Sequence, residues 1–362
     1  MAIGNAIGIP FKRGGAFKFK PAEAPTLLTA TVISDTQIDL AWTDNSTHED
    51  GYRIYISTDN ITFTVKGTVG ENIVVYSATG LTAGTLYYFY IVAYKGTVES
   101  VVSNTASATT YHTELVTYIT GLITPLSAGQ KTLLNTLISC LKSGLSIANL
   151  SDAFDTFYVL AGETEESSLK NLVSNAYHCT KNGAPVFVAG QGFTGSLGNY
   201  LKTGYKAASH SVRYLQDNCS SGVYVRTNVA ENASVAGFLN AAGQGTQVIP
   251  RTGLNHYNTS FNSTATGLND GLSIDSRGIH ISTRVLSTEY KNYINKLLKN
   301  TPAVASVALV DLEDYILTRN DNGVSGQVTT RQVSMRFLGK GLNLAELSTI
   351  TDCFEDYMDD YG

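Results

Sequence analysis

The sequence predicts a mainly β chain: two β-sandwich domains, the second the larger, joined by a short helical connector and closed by one C-terminal helix. Three observations carry this. Charged residues make up only 15% of the chain, while Gly (33) and Tyr (21) are abundant. That balance favours short strands and tight turns over long surface helices. Apolar residues recur at every second position in one short run after another, as in residues 37–42, 51–56, 222–226 and 278–282. Helical spacing is concentrated in residues 115–144 and 344–357.

The closing seam shows the logic. Residues 315–317 form an apolar strand and residues 320–323 (Asn-Asp-Asn-Gly) a turn. In the return strand Val333, Met335 and Phe337 alternate with Gln332, Ser334 and Arg336, the period of a strand with one buried face. A β-hairpin is expected here, followed by a helix. Asn343 and Glu346 have capping-box spacing. Leu344, Leu347, Ile350, Phe354 and Tyr357 form the apolar stripe, and Glu346, Asp352, Glu355 and Asp356 face water.

At 362 residues the chain has room for two or three domains with sizeable cores. Its net charge of -5 weighs against nucleic-acid binding. Cys140, Cys179, Cys219 and Cys353 are scattered without a CxxC pair, so they read as free thiols made in a reducing cytoplasm. Residues 1–24 stand apart. Ile3, Ile7, Ile9, Phe11, Phe17 and Phe19 alternate with glycines, and Lys12, Arg13, Lys18 and Lys20 are the only charges before Glu23. The stretch lacks the continuous apolar core of a secretory signal, and no stretch is apolar enough to insert in a membrane. A basic, apolar arm without a core of its own reads as an anchor laid along another protein.

Residues 25–110 carry the first sandwich. The strand around Trp42, the strand of Tyr52, Leu81 placed six residues before Tyr87, and a closing strand at residues 103–107 fall in the order of the fibronectin type III family, which this segment resembles. The resemblance implies a seven-stranded sandwich with Trp42 and Tyr87 in core and corner, a spacer or adhesion surface, and no catalysis. Residues 111–150 read as a helical connector, with Ser127 as a cap and Leu133, Leu134, Leu137, Ile138 and Leu141 on one stripe. The acidic run 163–166 reads as a solvated loop or helix start.

Residues 151–362 return to short alternating runs. The order Phe154…Tyr158, Gly192–Gly195, Tyr200–Gly204, Gly222–Arg226, Arg284, Tyr293–Asn295, Tyr315–Leu317 and Arg319…Gly323, ending in a helix, resembles the concanavalin A-like (laminin-G-like) jelly-roll domains of tailed-phage structural proteins. It resolves the ambiguous residues 290–299 as strand and turn. It further implies a virion protein made in the host cytoplasm: a head fibre, capsid decoration or tail-associated subunit, homo-oligomeric, with residues 1–24 docked on capsid, portal or tail proteins. Such domains bind Ca2+ and sugars through loop oxygens and aromatic rings. Asp311, Asp314, Asp321 and Asn322 are the donors this implies, and Tyr257 and Tyr315 the platform for a host-surface glycan. The competing explanation is that residues 321–323 are simply a turn, whose geometry demands those residue types.

Catalysis is not expected. No strand carries the spaced carboxylate pair of a glycoside hydrolase, since Glu313 and Asp314 are adjacent and point to opposite faces. The six histidines lack metal-ligand spacing, and no Gly-x-Ser-x-Gly or phosphate loop occurs. The rivals to a virion protein are a secreted bacterial lectin and a glycan hydrolase.

Overall fold

The computed structural model describes residues 21–264 and 268–361, with the backbone course alone given for residues 268–270. The anchor residues Ile3, Ile7, Ile9, Phe11, Lys12, Arg13, Phe17 and Phe19 lie outside the described residues. The chain forms two compact units, one ending at Thr110 and the other beginning at Tyr111.

The first unit is a sandwich. Its three-stranded sheet joins Thr26–Val32, Gln37–Thr43 and Val75–Thr79. Its second sheet orders Thr64–Gly70, Gly51–Ser57 and Leu86–Lys95, with Val98–Glu99 and Ala106–Thr109 both pairing on the last. Alternation delivers Ile38, Leu40, Trp42, Tyr52, Ile54, Phe89 and Ile91 to the core. Trp42 meets Tyr52 edge to face at 5.5 Å. The Tyr87 hydroxyl accepts a hydrogen bond from the Thr82 amide at 3.0 Å, which fixes the corner before its strand. The closing strand starts at Ala106, three residues later than its sequence suggests. Ser103 and Asn104 instead use their side chains, accepting from the amides of Ile91 and Leu28.

The second unit has three layers. One sheet runs in the order Thr180–Asn182, Tyr200–Lys206, Glu313–Ile316, Ala236–Leu239, Gly245–Ile249, His256–Ser263, Leu268–Leu272. The other runs Val186–Val188, Gly192–Thr194, Gln332–Gly339, Cys219–Val225, Gly278–Leu286, Glu289–Ile294, Leu297–Asn300, with Phe154–Val159 also pairing with Gln332–Gly339. Leu201, Val223, Val225, Val248, Tyr257, Ile316 and Val333 pack between the sheets. Residues 290–299 are strand and turn, with Asn295 and Lys296 at positive φ in the turn. Residues 211–215 form no strand; Leu215 makes a single bridge to Asn218.

The expected hairpin is not one. Glu313–Ile316 and Gln332–Gly339 belong to opposite sheets, and the Asn320–Gly323 turn closes only a small hairpin between Asn320–Asp321 and Val324–Ser325. Nor does Gln332–Gly339 have a wet face: all eight residues are buried. Its Val333, Arg336 and Leu338 look into the sandwich, while Phe337 packs on Phe154 and Phe157 at 5.4 and 5.8 Å.

The third layer consists of the helices Ala128–Gly144 and Leu344–Asp360. Ser127 caps the first by accepting from the Gln130 amide, and the Asn343–Glu346 capping box opens the second. Leu347, Ile350, Phe354 and Tyr357 are buried, whereas Leu344, at the first helical position, is 56% exposed and outside the stripe. The connector is part of this unit. Gln130 donates to the Tyr357 hydroxyl at 2.7 Å, and Cys140 and Cys353 form a disulfide with Cα atoms 5.7 Å apart. The four-thiol expectation therefore fails for two cysteines, because the approach of two helices 213 residues apart in sequence leaves no trace in cysteine spacing. Cys179 and Cys219 are free and buried, with thiol pKa raised by burial. Cys140→Ser is expected to lower the stability of the oxidised second unit by about 3–5 kcal/mol, since the bridge closes a very long loop. Denaturant unfolding of variant and parent, each with and without reductant, checks this; the reduced proteins should match.

Candidate functional site

Residues directly opposite in an antiparallel ladder share one face of the sheet. Across five strands of the larger sheet the register aligns Lys202, Tyr315, Gly237, Gln247 and Ser260. This row lies on the face turned away from the sandwich core. Tyr200 joins it, its ring 5.1 Å from Tyr315, and the Lys202 ammonium sits 5.9 and 5.7 Å from the two rings. Gly237 has φ +134°, and a Cβ there would meet the Thr246 carbonyl oxygen at 2.0 Å, so only glycine fits this place in the row. Arg319 reaches over it from the following turn. Its Nε and Nη2 donate to Asp321 at 2.7 and 3.0 Å, and its Nη1 donates to Gln247 Oε1. Burial, then the charge of Glu313, pushes the Tyr315 phenol up to about 12, so it stays protonated. Tyr200, Tyr315, Gln247 and Ser260 are buried, so Lys202 and Arg319 are what this row presents to solvent.

The structure scatters the residues that the sequence offers as a site. Tyr315 is on this face, but only 5% exposed. Tyr257 is sealed between the sheets with its ring stacked on His280 at 5.6 Å, so it is no platform. The four oxygen donors do not converge. Asp314 is fully buried in an ion pair with Arg336 at 2.7 Å. Asp311 is at the surface with Ser209 and Lys206, Asp321 belongs to Arg319, and Asn322 is a turn residue at φ +49°. Each carboxylate already has a cation, and among the described residues no group of three or more His, Cys, Asp or Glu is placed to hold a metal. Tyr200, Lys202, Gln247 and Arg319 were missed because strand alternation gives a face along one strand, while the partner strand comes from the register.

Two fully buried arginines, Arg331 and Arg284, organise the loops. Arg331 donates to the carbonyls of Val229, Glu231, Ala233 and Arg251, and Arg284 to those of Phe261, Leu286, Ser287, Glu289 and Val304. Each gathers carbonyls from several segments onto one guanidinium.

His280 faces the same interior. Its Nε2 meets the Ser276 carbonyl at 3.0 Å; burial, reinforced by the charges of Arg331 and Lys299 and offset by the Ser276 hydrogen bond and Asp275, lowers its pKa from 6.5 to about 4. The unfolded chain thus takes up a proton near pH 6.5 that the folded one refuses. Stability is expected to fall by about 3 kcal/mol between pH 6.5 and 4, then level off. His280→Phe, which keeps a ring against Tyr257, should flatten most of that slope in denaturant titrations; His112 and His178, also lowered by burial, account for the remainder.

Comparison with known proteins bears on the first unit. Residues 23–109 match the fibronectin type III domain model. No curated protein matches the chain. Among solved structures, the FN3tt protein is 24% identical over 26% of this chain and 98% of its own, with a TM-score of 0.23. The FN1–FN3 domains of chicken CNTN1 are 20% identical over 25% of this chain and 33% of that one, TM-score 0.24. A β-1,2-glucanase from Parabacteroides distasonis is 24% identical over 33% of this chain, which spans only 15% of the glucanase, TM-score 0.24. The chain therefore carries, at residues 23–109, a fibronectin type III domain, followed by a second and larger β-sandwich unit.

Proposed function

We propose that this is a non-enzymatic adhesive protein of a tailed-phage particle: a head fibre, capsid decoration or tail-associated subunit. Residues 1–24 dock it on neighbouring virion proteins, and its concanavalin A-like second unit and fibronectin type III domain are displayed toward host-surface glycans. The observation that carries this reading is the tandem of two β-sandwich units. In the second unit the carboxylates singled out as ligands are tied to Arg336, Arg319 and Lys206 instead of to a catalytic arrangement. Antibody labelling of intact particles tests the location. Deletion of residues 1–20, which spares Ala22 in the core of the first unit, is expected to leave both unfolding transitions in place while incorporation into particles falls sharply; normal incorporation of the shortened chain defeats the anchor. Release of reducing sugar from host surface polysaccharide would favour the hydrolase.

The disulfide favours a second reading, an exported bacterial lectin, since such bonds persist in oxidising surroundings. Label in the culture medium and none on particles would select it.

A further inference from the structure

We propose that the solvent-facing sheet of the fibronectin type III domain is a binding face for a neutral oligosaccharide. Gly51–Ser57 and Leu86–Lys95 send Tyr52, Ile54, Phe89 and Ile91 into the core. The alternate positions therefore point outward and, with Val92 among them buried, they present Arg53 and Tyr55 on one strand and Tyr88, Tyr90 and Tyr94 on the other. Phe63 leans onto the same face. All six are half-buried, neither sealed nor loose.

Their contacts hold the rings in place. Tyr55 stacks on Tyr90 at 4.7 Å with 18° between planes, and Phe63 packs on the other flank of Tyr90 at 4.7 Å. The Arg53 guanidinium lies 4.5 Å from the Tyr94 ring centre and pairs with Glu99, which also accepts from the Tyr55 hydroxyl at 3.0 Å. The hydroxyls of Tyr88, Tyr90 and Tyr94 make no hydrogen bond to any described residue. The rings stand on strands, and their order costs a ligand little to recruit.

Two properties of the face choose its occupant. It is electrically balanced, because Arg53 and Glu99 neutralise each other, so it has no spare cation for an anionic chain. It is also small. Its five strands are mostly short, and at about 3.3 Å per residue and about 4.8 Å between strands they give a footprint of about 480 Å². A stable protein partner or second copy needs about 800 Å² a side. Rings, free hydroxyls and a neutral donor–acceptor pair complement a sugar, whose ring has apolar C–H faces and a rim of hydroxyls. This rests on the adhesive reading for the class of ligand only; the face itself is independent of where the protein resides.

The test is calorimetric titration of the full chain with cellohexaose, maltohexaose and chitohexaose, with hyaluronan hexasaccharide as the anionic comparison. At least one neutral probe is expected to bind, with affinity reduced about tenfold by Tyr90→Ala and by Tyr94→Ala. Tyr90→Phe keeps the ring and should lose less; an unchanged first unfolding transition shows that the domain remains folded. No binding of any neutral probe, preference for hyaluronan, or binding indifferent to both alanine variants overturns the proposal. The last outcome moves the sugar site elsewhere and leaves the adhesive reading standing, whereas absence from particles defeats the virion reading and leaves this face intact.

Discussion

Arg336→Met is expected to destabilise the second unit by about 3–5 kcal/mol, the cost of leaving one buried charge without its partner. Arg336 and Asp314 are both fully buried, on strands of opposite sheets, joined by hydrogen bonds of 2.9 and 2.7 Å. Arg336 also donates to the Ser221 hydroxyl beside it. The pair thus crosses the middle of the sandwich. Removing the guanidinium strands a carboxylate in a medium that solvates it poorly. Removing both charges, as in Arg336→Met with Asp314→Leu, should recover most of the loss, because a buried pair replaced by apolar side chains is often neutral. Lys296→Ala, which breaks the exposed pair with Asp352, should change stability by less than about 1 kcal/mol. Denaturant unfolding of the four proteins decides it. Equal stability of Arg336→Met and the parent would mean that Asp314 is reached by water.

The second large effect lies on the outer face of the same sheet. Phe354 is fully buried, its ring 5.3 Å from Tyr224 below and 5.8 Å from Tyr357 along the helix. Phe354→Ala should cost about 3–5 kcal/mol through lost burial and the cavity left behind, much of a domain's usual margin of about 5–15 kcal/mol. The loss belongs to the second unit alone, since the fibronectin type III domain has a separate core. Glu355 is next along the helix. Burial, with Asp352, Asp359 and Asp356 nearby, holds its carboxyl above the ordinary value, so Glu355→Ala should be neutral or slightly stabilising. Calorimetry resolves the two transitions. If Phe354→Ala leaves the second at its parental temperature, the ring does not hold the helix to the sheet.

Local features were legible and pairings were not. The Asn343–Glu346 box, the Ser127 cap and the alternation around Trp42 are written within a few residues, and each forms as its spacing demands. The hairpin failed because alternation in residues 313–316 and 332–339 names two strands without naming their neighbours. Arg336 was read as a solvent-facing residue because its charge suggests water, yet its partner comes from a strand 22 residues earlier. Tyr257 was misplaced for the same reason. A covering sheet is long-range information, and so is the approach of Cys140 to Cys353.

That cystine also decides how the second unit would bear load. Cys140 lies in the helix through which the chain enters and Cys353 in the helix with which it ends, so residues 140–353 form a covalent ring. Tension applied at residue 111 and at the C-terminus runs along the entering helices, across the two sulfurs and out through the terminal helix. The strands lie off that path. Only residues 111–139 and 354–362 can be drawn straight, about 130 Å of slack, where an unbridged chain would pay out about 850 Å. A tether built this way stays short under pull for as long as the bond is oxidised.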